Sequence, residues 1–88
     1  YRASKASLNM LVRNFAVELA RTHPQAIAVS LHPGTVDTPL SRPFQKGVPA
    51  GKLFAPEESA DRLLAVLDGV TPADSGGLFA WDGVRIPF

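Results

Sequence analysis

Tyr1 and Lys5, in the run YRASK, are spaced four residues apart at the head of an amphipathic pattern, which puts a phenol and an ammonium on one face of a helix. An isolated phenol, with a pKa near ~10, is a poor proton donor and acceptor at neutral pH. A neighbouring cation favours the phenolate, and a second positive charge brought by a ligand would favour it further. A tenfold change in acidity corresponds to about 1.4 kcal/mol between the two protonation states, so two nearby charges can make a proton-transfer device. The same spacing also occurs on ordinary solvated helices, so the rest of the sequence must decide between the readings.

The elements that would position this pair follow in order. Leu8, Leu11, Val12, Phe15, Leu19 and Ala20 fall at helical spacing from Ala3 to about Arg21, and Ala6, Met10, Ala16 and Val17 widen the stripe beyond what a surface helix needs. Such a helix expects cover from a sheet and from a partner helix. Thr22, His23 and Pro24 end it. Ala26 to Leu31 (AIAVSL) reads as a strand buried on both faces, as in a parallel sheet. His32 then leads into PGTVDTPL, where Pro33 fixes its φ and Gly34 allows either sign, so the backbone can turn sharply beside a ligand.

Leu40 to Ala55 carries Pro43, Gly47, Pro49 and Gly51 and reads as a loop or flap, a length that is usually functional or disordered. Pro56, Glu57 and Glu58 open a second helix with an inward face of Ala60, Leu63, Leu64 and Leu67, and Gly69 suits a left-handed closing position. Pro72 to Gly77 is turn-rich, and Leu78 to Trp81 makes a last strand. A strand, a crossover helix and another strand imply parallel pairing with a right-handed connection. Two strands are marginal alone, so the pattern predicts part of a doubly wound α/β sheet completed by further residues. Ligands of such sheets sit beyond the carboxyl ends of the strands, where PGTVDT falls.

Composition bounds the function. The 88 residues contain no cysteine, are 45% hydrophobic and carry a net charge of +1. There is no basic footprint for nucleic acid and no apolar run near the roughly 20 residues that span a bilayer. No signal peptide is recognisable, and the lack of cysteine fits a reducing, cytoplasmic setting. The two histidines are too far apart, and without cysteine, to form a metal site. The opening on Tyr inside a helical pattern suggests a C-terminal piece of a longer chain.

YRASKASLNML, followed roughly 28 residues after the lysine by PG-x-V-x-T at the end of an apolar strand and then by a Gly-Gly-strand, resembles the C-terminal half of the short-chain dehydrogenase/reductase family. The tail WDGVRIPF is also similar to the C-factor-like carbonyl reductases. The resemblance implies that residues 1–88 are the C-terminal part of one Rossmann-type oxidoreductase domain that interconverts a carbonyl and an alcohol with NAD or NADP. Tyr1 would be the proton donor or acceptor. Lys5 would hydrogen-bond the nicotinamide ribose and depress the Tyr1 pKa. Pro33 and Gly34 would wall the nicotinamide, and Val36 (through its backbone) and Thr38 would bind its carboxamide.

On the same resemblance the loop from Leu40 to Ala55 is a substrate lid, with Leu40, Phe44 and Phe54 as its apolar residues. The first helix lies in a subunit interface of a homodimer or homotetramer. The Gly-rich phosphate turn, the cofactor-selecting residue, the helix asparagine and the catalytic serine of the family all fall before Tyr1, so the 88 residues alone hold half of an active site and are expected to be inactive.

Plainer roles compete for several residues. His32 reads as a hydrogen-bonded structural histidine beside the turn, His23 as a helix-end residue, and Arg42, Lys46 and Lys52 as solvated loop charges rather than acid-recognising groups. Leu40, Phe44, Leu53 and Phe54 would wall a substrate or simply pack the lid, and Trp81 with Phe88 packs a core or an interface. A non-catalytic Rossmann-type binding or scaffold protein, or a complete small interaction module, are the competing functional classes.

Overall fold

The computed structural model describes residues 2–88. Helix α1 (Arg2–Thr22) leads through a turn to strand β1 (Ser30–His32) and the short strand β2 (Thr35–Val36). A loop containing one 3₁₀ turn (Arg42–Phe44) returns to β3 (Leu53–Phe54) and helix α2 (Pro56–Gly69). A second 3₁₀ turn (Pro72–Asp74) precedes β4 (Leu78–Ala80) and β5 (Arg85–Ile86). The main sheet has the order β1-β4-β5, with β1 and β4 parallel (Ser30 opposite Leu78, His32 opposite Ala80) and β5 antiparallel to β4. The crossover from β1 to β4 contains α2, as the helical spacing between two apolar runs predicts. Among the described residues no helix is long and apolar enough to cross a membrane.

The first strand is shorter than AIAVSL predicts. Ala28 is held by a turn instead of a ladder: its N–H donates to Ser75 Oγ at 3.1 Å, and its carbonyl accepts from Gly76 N–H at 2.7 Å. Gly76 has φ +88°, so the segment facing Ala28 cannot run as a strand. Regular pairing starts only where Ser30 N–H reaches the Gly77 carbonyl. Two pairings escape the sequence reading altogether. β2 and β3 pair in parallel, Thr35 with Leu53 and Val36 with Phe54, and so clamp both ends of the long loop. β5 returns through a tight Asp82–Gly83 turn, in which Asp82 Oδ1 accepts from Val84 N–H and Gly83 takes φ +85°.

The core is small and aromatic. Ala16, Phe54 and Phe79 are buried. Phe54 meets Trp81 edge-on, with centroids 4.8 Å apart and planes at 64°, and the Arg62 guanidinium lies over both rings at 4.8 and 5.0 Å. Cation–π contacts of this kind contribute about 0.5–2 kcal/mol, against roughly 0.3–0.5 kcal/mol for the exposed Arg62–Glu58 pair at 3.4 Å, so the rings rather than the ion pair set where Arg62 lies.

This arrangement corrects the predicted face of α2. Ser59 is buried and Arg62, Leu63 and Val66 are half-buried, whereas Ala60, Leu64 and Leu67 point outward. Gly69 is the last helical residue and has no positive φ, with Val70 continuing in extended backbone. In α1, Ala16 is buried and lies beside Gly76, Val12 and Leu19 are half-buried, and Leu8, Leu11 and Phe15 are exposed along one side. Phe88 remains half exposed, with Arg13 of α1 5.6 Å above its ring.

Because Phe54 joins β3, α2 and Trp81, Phe54→Ala is expected to destabilise the intact protein by about 3–5 kcal/mol in urea denaturation. A loss below about 1 kcal/mol would contradict its place in the core.

Candidate functional site

The site is organised by the turn that follows β1. Gly34 has φ +74°, a conformation that side-chain-bearing residues rarely adopt, and a Cβ there would lie 3.0 Å from Trp81 Cδ1 and 3.1 Å from Phe54 Cε2. Glycine is therefore required twice, by dihedral angle and by space. His32 completes the turn, its Nδ1 accepting the Gly34 N–H at 3.0 Å. Its part is thus the hydrogen-bonded structural one.

Two clefts meet at Gly34. The first, about 700 Å³, runs between α1 and β1 and is lined by Lys5, Asn9, Val12, Leu31, Pro33 and Gly34 among others. The second, about 740 Å³, is lined by Gly34, Thr35, Val36, Thr38, Leu40, Ser41 and Phe44. Of the candidate residues, Lys5, Pro33 and Gly34 thus share one cleft, and Gly34, Val36, Thr38, Leu40 and Phe44 share the other. Tyr1 lies outside the described residues. Phe54 does not join the lid surface: it is buried behind Gly34, because β3 pairs with β2 and turns its ring into the core. Leu40 and Phe44, by contrast, are 87% and 77% exposed.

The second cleft carries ordered polar groups. Asp37 N–H donates to the Phe54 carbonyl at 2.7 Å, so in this parallel ladder the peptide groups of Val36 face away from β3. The Val36 carbonyl accepts the Ser41 hydroxyl. Thr38 Oγ1 accepts Ser41 N–H at 3.3 Å, and Thr38 N–H donates to Ser41 Oγ at 3.2 Å. Gln45 Nε2 donates to both Ser41 Oγ (3.0 Å) and Asp37 Oδ1 (3.1 Å), tying the 3₁₀ turn to the strand end. Ser41 and Gln45 are not legible in the sequence as site residues, because one serine and one glutamine in a loop carry no spacing signal.

Known proteins share this architecture. The chain is 39% identical over 89 residues to the C-signal protein of Myxococcus xanthus, covering all of this chain and 48% of that protein. It is 33% identical to an uncharacterized oxidoreductase of Schizosaccharomyces pombe, covering all of this chain and 38% of that one. Among solved structures, NADPH-bound carbonyl reductase from chicken fatty liver superposes with a TM-score of 0.81 at 31% identity, over the whole chain and 32% of its own length. No family profile matches the chain. The chain spans about half or less of these proteins. Its fold is the C-terminal part of a Rossmann-type sheet, and it matches the C-terminal half of the short-chain dehydrogenase/reductases in sequence and structure, as YxxxK and PG-x-V-x-T imply.

Gly34→Ala is expected to lower stability by about 1–3 kcal/mol, from the left-handed backbone and the close ring contacts. Gly69→Ala, at a helical position where nothing lies within 4 Å of the added Cβ, should be neutral or stabilising. Equal effects of the two substitutions on the melting temperature would contradict the seat assigned to Gly34.

Proposed function

We propose that residues 1–88 are the C-terminal part of a single Rossmann-type domain of an NAD(P)-dependent oxidoreductase that interconverts a small-molecule carbonyl and its alcohol. The observation that carries this reading is the meeting of two clefts at Gly34, one lined by Lys5 and the other by Val36 and Thr38. The resemblance to carbonyl reductases and oxidoreductases supports it.

The dinucleotide, when bound, supplies or accepts the hydride. This chain's residues do the rest. Val36, through its backbone N–H, and Thr38, through its hydroxyl, would hold the carboxamide. Pro33 and Gly34 form the wall behind it. Lys5 holds the ribose and stabilises the phenolate of Tyr1. Tyr1 gives its proton to the carbonyl oxygen in reduction and takes it from the hydroxyl in oxidation. Leu40 and Phe44 offer an apolar surface to the substrate, and α1, with its exposed Leu8, Leu11 and Phe15, packs in a subunit interface of a homodimer or homotetramer.

In the intact protein Tyr1→Phe is expected to lower turnover by about 100- to 10,000-fold while leaving dinucleotide affinity nearly intact, as removal of a general acid–base does. Stopped-flow turnover combined with a binding titration measures both. Near-normal turnover of the phenylalanine variant would overturn the proton-transfer role. Thr38→Val, which keeps shape and removes the hydroxyl, should weaken dinucleotide binding by about 1–3 kcal/mol in calorimetry, and unchanged affinity would reject its carboxamide role.

A further inference from the structure

Ser41 makes more side-chain hydrogen bonds than its place in an open loop requires. A serine hydroxyl has two acceptor positions and one proton. Here the acceptors are taken by Thr38 N–H at 3.2 Å and Gln45 Nε2 at 3.0 Å. Its proton is thereby turned toward two carbonyls, those of Val36 and of Thr38, the latter at 3.2 Å. The Ser41 backbone N–H is at the same time donated to Thr38 Oγ1 at 3.3 Å and to the Thr38 carbonyl at 3.1 Å.

This pattern fixes the hydrogen-bonding sense of the cleft edge. Thr38 Oγ1 accepts from Ser41 N–H and keeps its own proton and one further lone pair, so Thr38 still has an O–H to donate. The Val36 carbonyl has one lone pair occupied by Ser41 and can still accept once more, while the Val36 N–H faces away from β3 as a donor. The edge therefore offers two donors, the Val36 N–H and the Thr38 hydroxyl, beside one remaining acceptor position on the Val36 carbonyl and one on Thr38 Oγ1. A primary carboxamide presents the complementary set, a carbonyl that takes donors and an NH₂ that gives to an acceptor, whereas a carboxylate would meet the Val36 carbonyl with no proton to give.

We propose that Ser41 is a positioning residue that sets Val36 and Thr38 in this sense and so makes the cleft selective for the uncharged carboxamide of a nicotinamide. Gln45, bonded to both Ser41 and Asp37, links that setting to the 3₁₀ turn that carries Phe44. The proposal rests on the dinucleotide reading above and adds to it a residue outside the motif that implies that reading.

The test titrates the intact protein with NADH or NADPH, whichever the unaltered protein binds, and with the matching ADP-ribose, which lacks the nicotinamide. Ser41→Ala is expected to weaken dinucleotide binding by about five- to tenfold and to leave ADP-ribose binding unchanged, since about one to two hydrogen bonds at the carboxamide edge lose their orientation. Ser41→Thr, which restores the hydroxyl, should recover the dinucleotide affinity. Equal loss of both ligands in both variants would assign Ser41 to folding instead, and unchanged dinucleotide affinity in Ser41→Ala would remove the positioning role. A wild-type protein that binds neither dinucleotide would overturn the reading beneath the proposal, an outcome seen before any variant is made.

Discussion

The arrangement depends on one close approach, the backbone of Gly34 against the rings of Trp81 and Phe54. Trp81 follows β4, and Phe54 belongs to β3. Their edge-on contact joins the β1-β4-β5 sheet to the β2-β3 ribbon, and the guanidinium of Arg62 stacks on both rings from α2. A crossover helix thus holds, through one side chain, the turn at which both clefts begin. Glycine's missing Cβ lets the turn sit that close, and His32 Nδ1 keeps its N–H from pointing elsewhere. Phe54 is buried and Trp81 half-buried beneath the turn, which puts packed rings under Gly34.

From that seat the chain runs into β2, and the pairing of β2 with β3 decides which way its peptide groups face. The intervening loop is not free between its clamped ends. Gln45 and Ser41 bind its 3₁₀ turn back to Asp37, Thr38 and Val36, so one hydrogen-bonded network links the polar edge to the turn that carries Phe44. Such loops are drawn from the less stable end of a fold's local opening energies, because few of their apolar atoms are buried. Leu40 and Phe44 fit that description.

Length and period govern what is legible in the sequence. α1 and α2 are long enough for their repeats to show, Leu78 to Ala80 is a compact apolar run, and PG-x-V-x-T announces a turn at a strand end. β2, β3 and β5 are two residues each, too short for any alternation to register, although Asp82–Gly83 is a recognised hairpin signal. The inward face of α2 does not follow its apolar residues, because the aromatic floor draws Arg62 inward by stacking and the helix rotates so that Leu64 and Leu67 face out. Phe54 reads as a lid residue for a related reason: its neighbours in sequence are loop residues, but its burial is set by a strand pairing with residues some eighteen positions earlier. Ser41 and Gln45 act through geometry alone and leave no trace in spacing.

On the proposed function Gly34, which lines both clefts, marks a single ligand site with Val36 and Thr38 at its polar edge. Methyl-selective NMR of the intact protein, titrated with reduced dinucleotide, tests this most directly. The methyl signals of Val36 and Thr38 are expected to shift on saturation, while those of Leu64 and Leu67, on the outer face of α2, stay in place. Saturable binding that leaves Val36 and Thr38 unmoved, or that moves the α2 methyls instead, would contradict it.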